Sequence, residues 1–206
     1  MNLSKLFETQ KRLDKRIVEE KGLEGQDLLD KKILAFQVEL GELANEWRGF
    51  KFWSKDQKAR TYEKCHVCQG HGETMVPAFP SFDEFEQELC PVCEGEGTTG
   101  KNPLLEEYVD CLHFILSIGL EIGYYETFTL NPLIYPMKGN RTNGLIVEKF
   151  NDCFHLAYMM SEDNYFNELV QYFFDLGYLL GFTWNEIEQA YFEKNEINHK
   201  RQEGGY

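Results

Sequence analysis

Positive charge is scarce in this chain of 206 residues, which carries 21 lysines and arginines against 35 aspartates and glutamates, a formal charge of −14. An acidic chain repels phosphate backbones, so broad nucleic-acid binding is not expected. Long apolar runs are absent too. No stretch approaches the roughly 18 residues that a membrane-crossing helix requires. The first fifteen residues are charged throughout, unlike the apolar core of a secretory leader, so a cytoplasmic protein without membrane attachment is expected. Strand patterning is also missing: outside one central segment no convincing period-two alternation occurs.

What is present is helical periodicity. Leu3, Leu6, Phe7, Gln10, Leu13, Ile17 and Val18 predict a helix over Met1 to Glu20. Asp27 can cap a second helix, which runs to about Trp47 and ends at Gly49. Pro103, behind the N-cap candidate Asn102, opens a third helix that Gly123 stops. The segment from Tyr124 to Gly144 is irregular, and helical pattern resumes from Leu145 to Met160 and from Asp163 to Leu180. Thr183 with Glu186 is a capping box for a last helix, from Trp184 to about Asn195, followed by a polar tail. The expected fold class is all-α: a bundle of about five or six helices with a small zinc-binding insertion.

Residues 55–102 break the pattern, so the expected organisation is a bundle of 1–54 and 103–206 with 55–102 as an inserted lobe. Only Phe82 to Leu89 hints at helical spacing there. The lobe holds Cys65-His-Val-Cys68-Gln-Gly-His-Gly and Cys90-Pro-Val-Cys93-Glu-Gly-Glu-Gly, two CxxCxGxG halves. Two such knuckles can close one tetrahedral Zn²⁺ site through Cys65, Cys68, Cys90 and Cys93. Four thiolates leave no open position, so this zinc is structural, and His66 and His71 stand by. The glycines let backbone N–H groups turn toward the sulfurs. The halves resemble the DnaJ-type cysteine-rich module. The lobe's many glutamates argue against nucleic acid as its partner.

Glu39 and Glu42 sit three apart on the second helix, and Glu107 and Asp110 repeat this spacing on the third. Each pair borders apolar residues, so on antiparallel helices four carboxylates would meet. Such a group needs cations, because repulsion would otherwise protonate some of its members. Hard oxygen ligands favour Mg²⁺ or Mn²⁺. The ordinary reading of such spacings is an exposed acidic helix face. The C-terminal stretch gathers Lys194, Lys200 and Arg201 with Asn195 and Asn198, groups that can grip phosphate oxygens and amide-like edges.

These segments together resemble the all-α dimeric dUTPases, within the wider all-α nucleoside-triphosphate pyrophosphohydrolases that include MazG-like enzymes. Glu39-Leu-Gly-Glu42 with the stretch through Lys51 and Trp53 resembles the first metal motif. Glu107-Tyr-Val-Asp110 with His113 resembles the second. Lys194-Asn195 through Asn198 to Arg201-Gln202 resembles the C-terminal nucleotide motif. The resemblance implies hydrolysis of dUTP to dUMP and pyrophosphate by a homodimer, with dUDP as a second nucleotide, which would give dUMP and orthophosphate. It implies Mg²⁺ on Glu39, Glu42, Glu107 and Asp110, a metal-bound water as nucleophile, and Glu42 or Glu39 as the catalytic carboxylate. It further implies that Gln10 reads the uracil edge, with Asp14 one turn on as a candidate neighbour. His113 would lie against the deoxyribose and Trp53 against base or sugar. Lys51, Lys194 and Arg201 would hold phosphates, while Asn195 and Asn198 place base or sugar. The helix from Tyr165 to Leu180 is rich enough in aromatics to be either interface or core. Alternatives are a pyrophosphohydrolase for another nucleotide such as dCTP, a ferritin-like metal bundle, and a non-catalytic nucleotide sensor. The ferritin-like reading draws on Asp110/His113, Asp152/His155 and Glu196/His199.

Overall fold

A computed structural model of the chain describes residues 3–77, 85–124, 141–160 and 165–204. Its helices are α1 (Leu3–Lys21), α2 (Leu29–Trp47), α3 (Pro103–Glu121), α4 (Arg141–Met159), α5 (Phe166–Leu179) and α6 (Trp184–Glu203). Strands β1 (Glu73–Pro77) and β2 (Phe85–Leu89) form one antiparallel pair. The fold is therefore all-α with a short two-stranded sheet. Two compact units emerge: Met1–Ala59 with Leu105–Tyr206, and Arg60–Leu104.

In the larger unit α4 packs on α5 and α2, and α1 packs on α6. Helix α3 is buried on nearly every side, through Tyr108, Val109, Cys111, Leu112, Ile115, Leu116 and Ile118, so it is the central helix. The Tyr108 ring stacks on Phe173 with centroids 4.3 Å apart, and its hydroxyl donates to the Phe173 carbonyl at 3.1 Å. Gly177 makes this stack possible, because a Cβ there would collide with the Tyr108 phenol. Helix α5 buries Phe166, Leu169, Val170, Phe173, Leu176 and Leu179, so its aromatic richness serves the core.

The helix ends follow local chemistry. The Leu29 N–H donates to Asp27 Oδ1 at 3.1 Å, although Leu28 occupies the capping position. Helix α2 stops at Arg48, not at Gly49. Arg48 adopts φ +64° and returns its N–H to the Ala44 carbonyl. That left-handed conformation is unfavourable for a side chain. It is offset by two guanidinium bonds to the Asp56 carbonyl, at 3.1 and 2.9 Å. Gly49 has a different task, since any Cβ there would strike the Trp47 ring. The Thr183/Glu186 capping box is present, and α6 runs on to Glu203 instead of ending near Asn195.

In the smaller unit, Leu89 pairs with Glu73 and Phe85 with Pro77. The described part of the segment 82–89 is therefore strand, not helix; residues 82–84 lie outside the described residues. A helix would need a buried stripe, and every residue of β2 is exposed. The irregular stretch expected over Tyr124 to Gly144 lies mostly outside the described residues.

Candidate functional site

Helix α2 contributes Glu39 and helix α3 contributes Glu107 and Asp110. One carboxylate oxygen from each lies within 4.8 Å of the others. Glu42 is exposed and outside this trio, although its charge still reaches Glu39 and Glu107. Burial and then repulsion from Asp110 and Glu42 push the Glu39 carboxyl up to about 7. Burial, followed by Asp110, Glu42 and Glu39, does the same for Glu107. Asp110 is raised by burial, opposed by Lys194. The trio is thus an oxygen-rich cluster whose negative charge Lys194 offsets only in part, and it suits a hard divalent cation.

Helix α6 faces this cluster with residues spaced along one side: Lys194, Asn195, Asn198, Arg201 and Gln202. Lys194 Nζ lies 2.6 Å from Asp110 Oδ2 and 2.9 Å from Glu106 Oε1. Beside the cluster a cavity of about 400 Å³ is lined by Gln10, Leu13, Asp14, Ile17, Glu39, Asp110, His113, Phe114, Ser117, Asn198, Arg201 and Gln202. The lining combines apolar side chains and amides with carboxylates and a guanidinium, as a charged ligand with an apolar body requires.

The amide of Gln10 is already engaged within the protein. Its Nε2 donates to Asp14 Oδ1 at 2.7 Å. Its Oε1 accepts from the Tyr191 hydroxyl at 2.9 Å and lies 2.7 Å from His113 Nδ1. An acceptor on that side makes His113 Nδ1 the protonated nitrogen and leaves Nε2 as an acceptor. His113 Nε2 is buried without a hydrogen-bond partner among the described residues, while the ring stacks on Tyr191 at 4.4 Å. Burial, with Lys194 nearby, lowers this histidine to about 3, so it is neutral. Asp14 accepts from Ser117 Oγ at 2.5 Å, and burial raises its carboxyl.

The sequence-derived candidates divide accordingly. Gln10, Glu39, Asp110, His113, Asn198 and Arg201 line the cavity, and Glu107 and Lys194 join it through the cluster. Asn195 is buried beside the Tyr191 hydroxyl. Lys51 and Trp53 do not line the cavity. Lys51 Nζ sits 5.6 Å from the Phe50 ring centre, and Trp53, 65% exposed, makes edge contacts with Phe50 and Phe52. Ser117, Phe114, Tyr191 and Glu106 were not singled out by the sequence, and Gln202 was marked there only as the end of the C-terminal motif, without a role of its own. Helical spacing held a signal for some: Ser117 is one turn beyond His113, and Gln202 one turn beyond Asn198. Gln202 Oε1 is a second buried acceptor without a partner among the described residues.

In the smaller unit Cys65, Cys68, Cys90 and Cys93 bring their sulfurs within 4.8 Å of one another. Cys65 and Cys90 Sγ are 3.8 Å apart, and Cys68 and Cys93 Sγ are 3.6 Å apart. A tetrahedron of thiolates at the usual Zn–S bond length has edges of about 3.8 Å. The Gly72 N–H donates to Cys68 Sγ at 3.3 Å and the Gly97 N–H to Cys93 Sγ at 3.2 Å. Burial alone would raise the Cys68 thiol; the Gly72 and Gly70 amides outweigh it and bring it down to about 7. A Cβ on Gly72 or Gly97 would run into the carbonyl of Gly95 or Gly70, so these close turns need glycine.

A family model described as dUTPase matches residues 2–66 and 95–206. The unmatched stretch falls inside the cysteine unit. Neither the curated proteins nor the solved structures give a significant match.

Proposed function

The chain belongs to the all-α dUTPase family, and from that membership we propose that it hydrolyses dUTP to dUMP and pyrophosphate with Mg²⁺. The observation that carries this reading is the trio Glu39, Glu107 and Asp110, drawn from two helices to within 4.8 Å beside the cavity. With Glu42 these residues would hold the metal, for which their hard oxygens and raised carboxyls are suited. When bound, Mg²⁺ or Mn²⁺ supplies charge neutralisation of the phosphates and acidification of water.

The remaining work falls to the chain's own side chains. Glu42, outside the packed trio, is the general base that accepts the proton. Arg201 offers a planar fork to phosphate oxygens, and Lys194 adds a point charge, whereas Lys51 lies off the cavity and takes no part. The deoxyribose lies against His113, whose Nε2 accepts a hydrogen bond from the nucleotide. Gln10 holds that ring in one tautomer and keeps one Nε2 hydrogen for the base. Asn195 and Asn198 complete base and sugar placement, a task from which Trp53, off the cavity, is removed. Four thiolates hold Zn²⁺ as a structural ion. The second copy of a homodimer docks on the outer face of α2, where Leu34 and Val38 are exposed one turn apart. Six unpaired cysteines fit a reducing, cytoplasmic setting.

The test is pyrophosphate release from a panel of dNTPs and NTPs in Mg²⁺, beside a Glu39→Gln/Asp110→Asn variant. Selective turnover of dUTP, lost in the variant, is the expected result. Preference for dCTP would keep the metal chemistry and reassign the base-reading residues. No turnover of any nucleotide would refute the enzymatic reading.

A further inference from the structure

We propose that Lys194 is a built-in counter-ion that occupies the carboxylate cluster until a metal arrives, and that Glu106 is the positioning residue that receives it afterwards. This inference rests on the metal-binding reading above.

Asp110 has two partners. It belongs to the trio with Glu39 and Glu107, and its Oδ2 also meets Lys194 Nζ at 2.6 Å. A divalent cation on Asp110 would repel an ammonium held so near. Lys194 cannot simply retreat into water, because its side chain is only 10% exposed. Glu106 supplies the alternative. It lies one turn before Asp110 on the same face of α3 and already touches Lys194 Nζ at 2.9 Å. Its side chain is 46% exposed against 19% for Asp110. The ammonium therefore needs no large movement; it gives up the inner carboxylate and keeps the outer one. Glu106 stands just outside the Glu107–Asp110 pair, so the motif gives it no role. In this arrangement the metal-free protein avoids an uncompensated acidic cluster. Metal entry then leaves a cation parked beside the site on α6, the helix that also carries Arg201.

Mn²⁺ binding to the full-length, zinc-replete protein tests this, with free Mn²⁺ read by electron paramagnetic resonance. Lys194→Met should bind Mn²⁺ about fivefold more tightly, since no ion pair must be displaced. Glu106→Gln should bind it several-fold more weakly, and Glu106→Asp should recover most of the loss. The Glu106→Gln penalty should vanish in the Lys194→Met background, because Glu106 acts through Lys194. Unchanged or weaker binding by Lys194→Met would overturn the proposal. So would a Glu106→Gln penalty that persists without the lysine, which would mark a direct field effect. If Lys194→Met does not fold, the Glu106→Gln and Glu106→Asp pair decides: no loss, or no recovery, overturns it. Asp110→Asn separates the two levels. If the wild type ignores Mn²⁺, or Asp110→Asn binds it as well as the wild type, the metal reading itself falls.

Discussion

Glu39 and Glu107 are glutamates held where ionisation is opposed, first by burial and then by neighbouring acids, so both titrate near 7 instead of near 4.5. Between those values the native state binds more protons than the unfolded chain. Stability of the metal-free protein must then fall as pH rises through that window. Asp110 and Asp14, also raised, push the same way, while His113, lowered to about 3, opposes them below the ordinary imidazole value of 6.5 and leaves the two glutamates to set the net fall. The expected outcome is a higher melting temperature at pH 5 than at pH 8 without divalent metal, read by calorimetry. Glu39→Gln should flatten that slope, and saturating Mg²⁺ should weaken or reverse it, because metal binding favours the deprotonated ligands. A metal-free melting temperature that rises from pH 5 to pH 8 would contradict the cluster. The pairs themselves were legible in the sequence, since a spacing of three fixes a shared helix face. What spacing alone did not convey is how far Glu42 turns outward, or that Tyr191, far along the chain, would engage Gln10. Both depend on how the helices pack.

At the scale of elements, α6 is where local and global signals part. Its start was written in the chain: Thr183 Oγ1 accepts from the Glu186 N–H at 3.3 Å, and Glu186 Oε2 accepts from the Thr183 N–H at 2.8 Å. Its end was not, because residues 196–203 are mostly polar and no apolar stripe announces a helix. The helix persists because Lys200 and Arg201 lie in the last turn, where cations suit the dipole, and because Arg16 of α1 donates to the His199 carbonyl at 3.2 Å. The same limit applies to β2, whose acidic alternation gained meaning only through pairing with β1. Thr183→Ala should cost about 1 kcal/mol by removing the cap. Lys194 and the polar groups after it stand well beyond the first turn, so turnover should change little while the melting temperature drops by a few degrees. A large loss of turnover at unchanged stability would mean that the cap orients the site and does more than stabilise the helix.

The molecule as a whole is built on two unlike cores. The helical unit buries aliphatic and aromatic side chains such as Leu40, Phe36, Leu112, Phe173 and Tyr191. The buried cluster of the smaller unit is Cys65, Cys68, Cys90 and Cys93, with no large apolar side chain among them. A unit whose buried cluster, among the described residues, is four cysteines has little apolar packing to hold it together, and a hairpin exposed along β2 adds little. On the proposed four-thiolate zinc site, its folding free energy would come from metal ligation. This is why the cysteine spacing announced the unit so plainly in the sequence: ligand positions there do the work that periodic apolar residues do in the bundle. If the four cysteines hold zinc as proposed, a strong chelator should expose residues 60–104 to protease, with cuts confined to that stretch. The helical circular dichroism signal should remain near its starting value. Gly97→Ala should mimic part of this by crowding the Gly70 carbonyl and disturbing the N–H donor to Cys93. If chelation instead melted the helical signal, the bundle would depend on the cysteine unit for its stability, and the metal's role would extend beyond the lobe that binds it.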